Sequence, residues 1–181
     1  MRRAIVVGVD HFLQNIEALC TTPDGKVSEA RQKAALKARL EELISIHDPQ
    51  LIAEEEKPGA ASLGKELADA HRIKYCTVTM PWDERAKVGI AKDYNNTRET
   101  RRAAYEKFEA YMFDQIQKNR GDAERVLVIC GSYHMERLAK RFHEAGDKAW
   151  AEDTYHAAWY EGRPMEDGKG IIGHDKDRPD V

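Results

Sequence analysis

Residues 4–9 read AIVVGV and residues 125–130 read RVLVIC, and these two stretches are the strongest indication of the fold. Each contains a continuous apolar run rich in β-branched side chains, which is the pattern of a strand buried on both faces. Shorter strands are predicted over residues 51–53 and 73–80. A fifth strand, at the edge of the sheet, is predicted over residues 148–152. Strands that are buried on both faces belong in a parallel sheet covered by helices.

Segments with helical periodicity separate the predicted strands. Apolar residues recur at spacings of three and four over residues 28–47 and 98–119, and over two shorter segments that begin near Ser62 and His134. Alternating strands and helices need crossover connections, which give a mostly parallel sheet with helices on both faces. The sequence therefore predicts an α/β fold. A site shared by the residues that follow the first and fourth strands requires those two strands to be adjacent.

Two stretches lack a regular period. Residues 81–97 (PWDERAKVGIAKDYNNT) form a long polar connection, which is typical of a lid or a binding loop. Residues 161–181 are dominated by Gly, Pro and Asp, and they are predicted to form an extended or mobile tail. Residues 1–160 are accordingly expected to fold as a single α/β domain.

The composition narrows the classes of partner. The formal net charge of −3 and the isoelectric point near 6.2 argue against a general binder of nucleic acid or of membrane surfaces. No apolar segment approaches the roughly 20 residues of a membrane span. The three cysteines are widely spaced, which favours free thiols in a reducing cytoplasm. We expect a cytoplasmic protein that acts on a small molecule or a peptide, and its oligomeric state is left open.

Polar residues that follow the predicted strands are the candidates for chemistry, because ligands of parallel sheets bind beyond the carboxyl ends of the strands. His11 follows the first strand and His134 the fourth, each three residues after a glycine that permits a tight exit from the sheet. A neutral imidazole at such a position can bind a metal or shuttle a proton. The alternative is structural, with each histidine capping a helix or hydrogen-bonding a loop.

Three glutamates, residues 54–56, continue directly from the second strand. A carboxylate beside two imidazoles is a set that binds zinc or a harder divalent metal, and it can also act as a general base. Because successive strand residues point to opposite faces, we expect one of Glu54 and Glu55 to serve the site and the other to be solvated or structural. The predicted metal ligands are His11, His134 and Glu55.

Arginines open the helix predicted over residues 98–119. Arg101 lies four residues before Tyr105 on the apolar stripe, which places its charge at the rim of the core. A guanidinium there can bind a substrate carboxylate or phosphate or fix a strand-end glutamate, and the alternative is a surface ion pair with the acidic run. The predicted catalytic set is His11, His134, Glu55, Glu54, Arg98 and Arg101. Further candidates for substrate binding are Asp10, Gln14, Arg85, Tyr105, Ser132 and Tyr133.

The order of these motifs resembles the TraB/Tiki/GumN superfamily and its wider ChaN-like and erythromycin-esterase-like relatives. Those proteins carry a GxxH motif after the first strand, a strand-end glutamate, an arginine-bearing helix and a second GxxH motif after a late apolar strand. The matching stretches here are residues 8–11, 49–55, 98–101 and 126–134. The resemblance extends from the start of the chain to about Gly146.

The resemblance implies three kinds of activity. In Tiki-like members the two GxxH motifs and the glutamate are associated with metal-dependent peptide hydrolysis. In the esterase-like branch histidine and glutamate activate water without an obvious metal, and a ChaN-like branch binds haem. We therefore expect a hydrolase that uses a divalent metal or an activated water on an ester, peptide or phosphoester bond of a small anionic substrate. The alternatives are a non-catalytic ligand-binding or regulatory module and a haem or metal carrier.

Overall fold

The computed structural model of the chain describes residues 1–17, 20, 22–56, 61–94, 97–164 and 171–172. Strands and helices alternate along it in the order β1 (Arg3–Val9), α1 (His11–Gln14), α2 (Pro23–His47), β2 (Leu51–Glu54), α3 (Leu63–His71), β3 (Lys74–Thr77), α4 (Trp82–Lys87), α5 (Arg98–Arg120), β4 (Arg125–Gly131), α6 (Met135–Glu144) and β5 (Lys148–Asp153). A one-turn 3₁₀ helix (Thr154–His156) follows, and β6 (Arg163–Pro164) pairs antiparallel with β7 (Ile171–Ile172).

The main sheet has five strands in the order β3-β2-β4-β1-β5, and all its pairings are parallel. The α/β class and the adjacency of the first and fourth strands, both predicted from the sequence, are confirmed. In the register of these two strands Val6 pairs with Val128, Gly8 with Cys130 and Val9 with Gly131. The residues that follow β1 and β4 are therefore brought to the same edge of the sheet.

The apolar runs of β1 and β4 are continuous because each strand packs helices on both faces. Val6 and Val128 point to one face, where they pack with Met112 of α5 and Phe142 of α6. The side chains between them point to the other face, onto helices α2 and α3: Ile5, Val7, Leu127 and Ile129 with Leu36, Leu40 and Leu67. A strand with one wetted face would alternate apolar and polar residues instead.

The carboxyl ends of the neighbouring strands β1 and β4 lie at a switch point in the sheet topology. From β1 the chain passes through α2, on one face, to β2, whereas from β4 it passes through α6, on the opposite face, to β5. Neighbouring strands whose connections leave in opposite directions open a crevice beyond their carboxyl ends, and ligands of open parallel sheets bind there.

The largest differences from the sequence prediction concern one helix start, one strand and one loop. The first long helix begins at Pro23 rather than near residue 28, because Thr22 caps it by accepting a hydrogen bond from the Gly25 amide. The third strand pairs only over Lys74–Thr77 rather than residues 73–80. The polar connection over residues 81–97 contains the helix Trp82–Lys87, which acidic residues in its first turn and basic residues in its last turn favour.

The predicted tail begins against helix α2. Glu161 accepts a hydrogen bond from Ser28 Oγ at 2.9 Å and pairs with Arg31, and the Gly162 carbonyl accepts from Gln32 at 3.0 Å. Residues 165–170 and 173–181 of the predicted tail lie outside the described residues. Within the described part of the chain, no helix combines the length and apolar character that a membrane crossing needs.

Ile129 tests the packing of the central strand. It is 1% exposed in the core against helices α2 and α3, so Ile129→Ala should lower the free energy of unfolding by about 2–5 kcal/mol. Val27→Ala is the control because Val27 is 65% exposed on helix α2, and it should change stability by less than about 0.5 kcal/mol. Equilibrium denaturation by urea measures both, and equal losses would contradict the assignment of Ile129 to the core.

Candidate functional site

A cavity of about 390 Å³ opens beyond the carboxyl ends of strands β1 and β4. Three residues that the sequence predicted for one site, His11, Glu55 and His134, all line it. Each follows a different strand, and the order of the sheet places β4 between β1 and β2. The parallel arrangement is therefore what brings these distant parts of the chain together.

The Glu55 carboxylate lies between two imidazoles. Its Oε2 is 3.7 Å from His11 Nε2, and its Oε1 is 3.7 Å from His134 Nε2. The Gly131 amide donates a hydrogen bond of 2.9 Å to Oε2, and the Glu55 amide donates to the Ile129 carbonyl at 2.8 Å. Both the backbone and the side chain of Glu55 are thus fixed to the end of β4.

His134 is held from behind by a second carboxylate. The imidazole is buried, and its Nδ1 lies 3.2 Å from Glu109 Oε1 of helix α5, whose side chain is only 1% exposed. A carboxylate oxygen accepts, so Nδ1 carries the proton and Nε2 faces Glu55. The ring of Tyr105 lies edge-on to the imidazole with centroids 4.8 Å apart. This arrangement fixes both the tautomer and the orientation of the ring, as an orienting partner does for histidines at metal and acid–base sites.

His11 is oriented in the same way by an amide. Its Nδ1 lies 2.6 Å from the side-chain oxygen of Gln14, and the Gln14 amide nitrogen donates to Glu54 Oε1 at 3.3 Å. With the amide oxygen as acceptor, His11 Nδ1 carries the proton and Nε2 faces Glu55. Asp10 caps helix α1, and no side-chain cap bond comes from His134 at the start of α6. The structural alternative of helix-capping histidines is therefore not what these residues adopt.

Both GxxH glycines lie where a side chain would collide. A Cβ at Gly131 would lie 2.8 Å from His11 Nε2 and 3.5 Å from Glu55 Oε2. A Cβ at Gly8 would lie 2.5 Å from Met135 Sδ and 2.9 Å from the Ser132 Cα. The absence of a side chain at Gly131 lets His11 and Glu55 approach the backbone of β4, and its absence at Gly8 lets β1 pack against the start of helix α6.

Glu55 and His134 shift each other's pKa. Burial alone would raise the pKa of Glu55, but His134, His11, the Gly131 amide and Arg85 outweigh it and hold that pKa below its ordinary value. Burial alone would lower the pKa of His134, but the charges of Glu55 and Glu109 outweigh it and raise that pKa. An ionised Glu55 beside a readily protonated His134 follows from this balance.

Five of the predicted substrate-binding residues line the cavity: Asp10, Arg85, Tyr105, Ser132 and Tyr133. Asp10 Oδ2 also accepts a hydrogen bond from the Tyr160 hydroxyl at 2.9 Å. The predicted lid over residues 81–97 contributes Arg85 and Tyr94 to the lining. Whether that segment opens and closes stays a prediction.

Four predicted site residues do not line the cavity: Gln14, Glu54, Arg98 and Arg101. Gln14 acts through His11, as described above. Arg98 is exposed at the first turn of helix α5, and Arg101 is half-buried one turn later. The cationic side chain that lines the cavity comes instead from Arg85 on helix α4.

Glu54 occupies the opposite face of strand β2. It is fully buried and accepts hydrogen bonds from Ser62 Oγ at 2.6 Å, the Tyr75 hydroxyl at 3.0 Å and the Gly64 amide at 3.2 Å. Burial is the largest influence on Glu54 and raises its pKa, although these hydrogen bonds oppose the rise. The strand alternation expected from the sequence therefore separates Glu54, which ties β2 to helix α3, from Glu55 in the cavity.

Glu109 is the main residue of the cluster that was not predicted from the sequence. It lies on the buried face of helix α5, four residues after Tyr105 and three before Met112. A lone carboxylate in an apolar stripe signals a buried partner, because an unpaired buried charge is costly. Arg137 Nη1, 3.7 Å from Glu109 Oε1, completes the cluster behind His134.

These observations define a class: a parallel α/β protein with a histidine–glutamate–histidine cluster at its topological switch point. Comparison of the chain with protein-family models, curated proteins and solved structures found no match. Among the described residues, no group of three or more His, Cys, Asp or Glu side chains is arranged to hold a metal ion.

The two GxxH glycines should respond differently to alanine. Gly131→Ala should leave stability within about 1 kcal/mol, because the end of the His11 side chain can move aside, but it should break the contact between His11 and Glu55. Gly8→Ala meets backbone at Ser132 and should destabilise by about 1–3 kcal/mol. Denaturation curves and imidazole ¹⁵N chemical shifts measure the two effects, and an unshifted His11 in Gly131→Ala would contradict the close approach.

The two histidines should also differ in their contribution to stability. His134→Ala removes the nearer of the two described partners of the buried Glu109 and should cost about 3 kcal/mol. His11→Ala affects a side chain that is 53% exposed and should cost less than about 1 kcal/mol. Urea denaturation at neutral pH compares them, and equal losses would mean that Glu109 does not depend on His134.

Proposed function

We propose that this cavity activates water to hydrolyse an ester, peptide or phosphoester bond of a small substrate. The observation that supports the proposal is the Glu55 carboxylate, which lies 3.7 Å from the Nε2 atom of each of two imidazoles in the lining of a 390 Å³ cavity. Both imidazoles are oriented through Nδ1 by a second residue. Such oriented acid–base groups in a cavity at a switch point are typical of an active site rather than of a packing cluster.

The protonation balance assigns roles to the two central groups. Glu55, ionised because its pKa is lowered, accepts a proton from the attacking water. His134, whose pKa is raised, donates a proton to the leaving group, and Glu109 stabilises the imidazolium. His11 Nε2 faces the same carboxylate and can exchange a proton with it. Two groups whose pKa values are moved in opposite directions form the acid–base pair that hydrolysis needs.

A divalent metal is the other means of activating water in this cavity. His11, His134 and Glu55 are its predicted ligands, and the two Nε2 atoms with a carboxylate fit that role chemically. The described side chains do not converge as a metal-binding group where they lie, so coordination would require them to move. When bound, a metal would lower the pKa of its water and polarise the scissile bond. The resemblance to TraB- and Tiki-like proteins favours hydrolysis by either route.

A hydrolysis assay tests the proposal directly. Purified protein is incubated with nitrophenyl esters, nitrophenyl phosphates and short peptides, after chelation and again with Mn²⁺, Zn²⁺ or Mg²⁺ added. Glu55→Gln should lower kcat/KM by roughly 100-fold or more, because the proton acceptor is lost. His143→Asn is the control for purification, since His143 is exposed on helix α6 outside the cavity lining.

Three outcomes would count against hydrolysis. Activity that persists unchanged in Glu55→Gln would come from a contaminant. Ligand binding without turnover on every substrate would favour the non-catalytic module. A shift of the haemin Soret band on titration into the protein, lost in His11→Ala or His134→Ala, would favour the haem carrier.

The dependence of the rate on pH separates the two routes to an activated water. For the metal-free route, kcat/KM should fall on the acid side below the ordinary glutamate pKa of 4.5 and on the alkaline side above the ordinary histidine pKa of 6.5. The acid-side fall lies below 4.5 because the pKa of Glu55 is lowered, and the alkaline-side fall lies above 6.5 because the pKa of His134 is raised. A rate that keeps rising with pH through this range, and only with added metal, would instead assign both histidines as metal ligands.

A further inference from the structure

We propose that Arg85 binds an oxyanion of the substrate, so that the substrate class is small organic acids or phosphate esters. The inference rests on the proposed function for the position of the bond that is broken, and it replaces the arginines of helix α5 that the sequence predicted for this role. Arg85 and Glu55 line the same cavity, and the Arg85 charge contributes to holding Glu55 ionised.

The Arg85 guanidinium is held rigidly over the cavity. Its Nε donates a 3.0 Å hydrogen bond to the Met80 carbonyl. The guanidinium carbon lies over the Trp82 ring at 4.3 Å from its centroid, and over the Phe108 ring of helix α5 at 5.0 Å. Stacking on aromatic faces together with one backbone bond fixes the plane of the group. An arginine that is oriented before the ligand arrives loses little entropy on binding.

The terminal amino groups of Arg85 remain available for a ligand. Within the described part of the chain, they donate no hydrogen bond, and no carboxylate lies within 4.0 Å of them. The two carboxylates of the lining are engaged elsewhere, Glu55 by Gly131 and Asp10 by Tyr160. A guanidinium fork of this kind matches a carboxylate or a phosphate with two parallel hydrogen bonds.

A second polar group of the same cavity points to a ligand. Ser132 Oγ is buried in the lining, and among the described residues it has no hydrogen-bond partner. Buried hydroxyls are normally satisfied, so a polar atom of the substrate is a natural partner for it. The volume of about 390 Å³ suits a small molecule rather than a folded chain, and the aromatic residues Tyr105, Phe108 and Tyr133 belong to the lining that its apolar part would meet.

Ligand binding tests the inference independently of turnover. The probes are phenyl phosphate and benzoate, with benzyl alcohol as the neutral analogue, titrated into the full chain and followed by calorimetry or NMR. Arg85→Met should weaken both anions by roughly 10- to 100-fold and leave benzyl alcohol unchanged. Arg85→Lys should retain part of the affinity for the anions, because lysine keeps the positive charge but cannot form two parallel hydrogen bonds. Lys87→Met is the matched control, since Lys87 is an exposed cation of the same helix that pairs with Glu84.

The results separate this inference from the proposed function. If the anions bind through Arg85 but no substrate is turned over, the oxyanion subsite stands and hydrolysis fails. Loss of turnover in Glu55→Gln would support hydrolysis. If Arg85→Met then changes the KM of a carboxylated nitrophenyl ester no more than the KM of a neutral ester, hydrolysis stands and the oxyanion subsite is overturned. Equal binding of the anions to the wild type and to Arg85→Met would also overturn it.

Discussion

The hydrogen bond from the Gly131 amide to Glu55 is the contact on which the site depends. It joins the end of β4 to the residue that follows β2, and the same glycine leaves room for His11 from the end of β1. The three catalytic candidates can therefore meet only if these strands keep their order and register. The apolar packing on both faces of β1 and β4 serves that requirement, because a shift of one residue would turn Glu55 away from the cavity.

Two adjacent glutamates have different surroundings because a strand alternates its side chains. Glu54 is surrounded by hydroxyl and amide donors that tie β2 to helix α3, and it reaches His11 only through Gln14. Glu55 faces the imidazoles. Behind His134, Glu109 provides a second buried carboxylate, so the cluster continues into helix α5. Polar contacts therefore hold the cluster in place on both sides of the sheet.

The sequence predicted the sheet and the central cluster because both follow from local patterns. Buried strands give continuous apolar runs, and their carboxyl ends must share an edge, so the meeting of His11, Glu55 and His134 was foreseeable. Arg85 was among the predicted substrate-binding residues, but its position in the cavity lining in place of Arg101 could not be predicted, because it depends on helix α4, which is short and lacks an apolar stripe. Glu109 was also missed, although its place on an apolar helix face carries a signal. Contacts between side chains on different helices cannot be predicted from the hydrophobic periodicity of either helix.

The titration of His134 measures whether Glu55 and the His134 imidazole form one acid–base unit. NMR of the imidazole in the wild type should show a pKa above the ordinary value of 6.5, because the charges of Glu55 and Glu109 outweigh burial. In Glu55→Gln the pKa of His134 should fall, whereas in Glu56→Gln, which removes the same charge one residue along the chain, it should stay near that of the wild type. A His134 pKa that is the same in the wild type and in Glu55→Gln would contradict the account, because it would mean that the carboxylate and the imidazole do not form one acid–base unit.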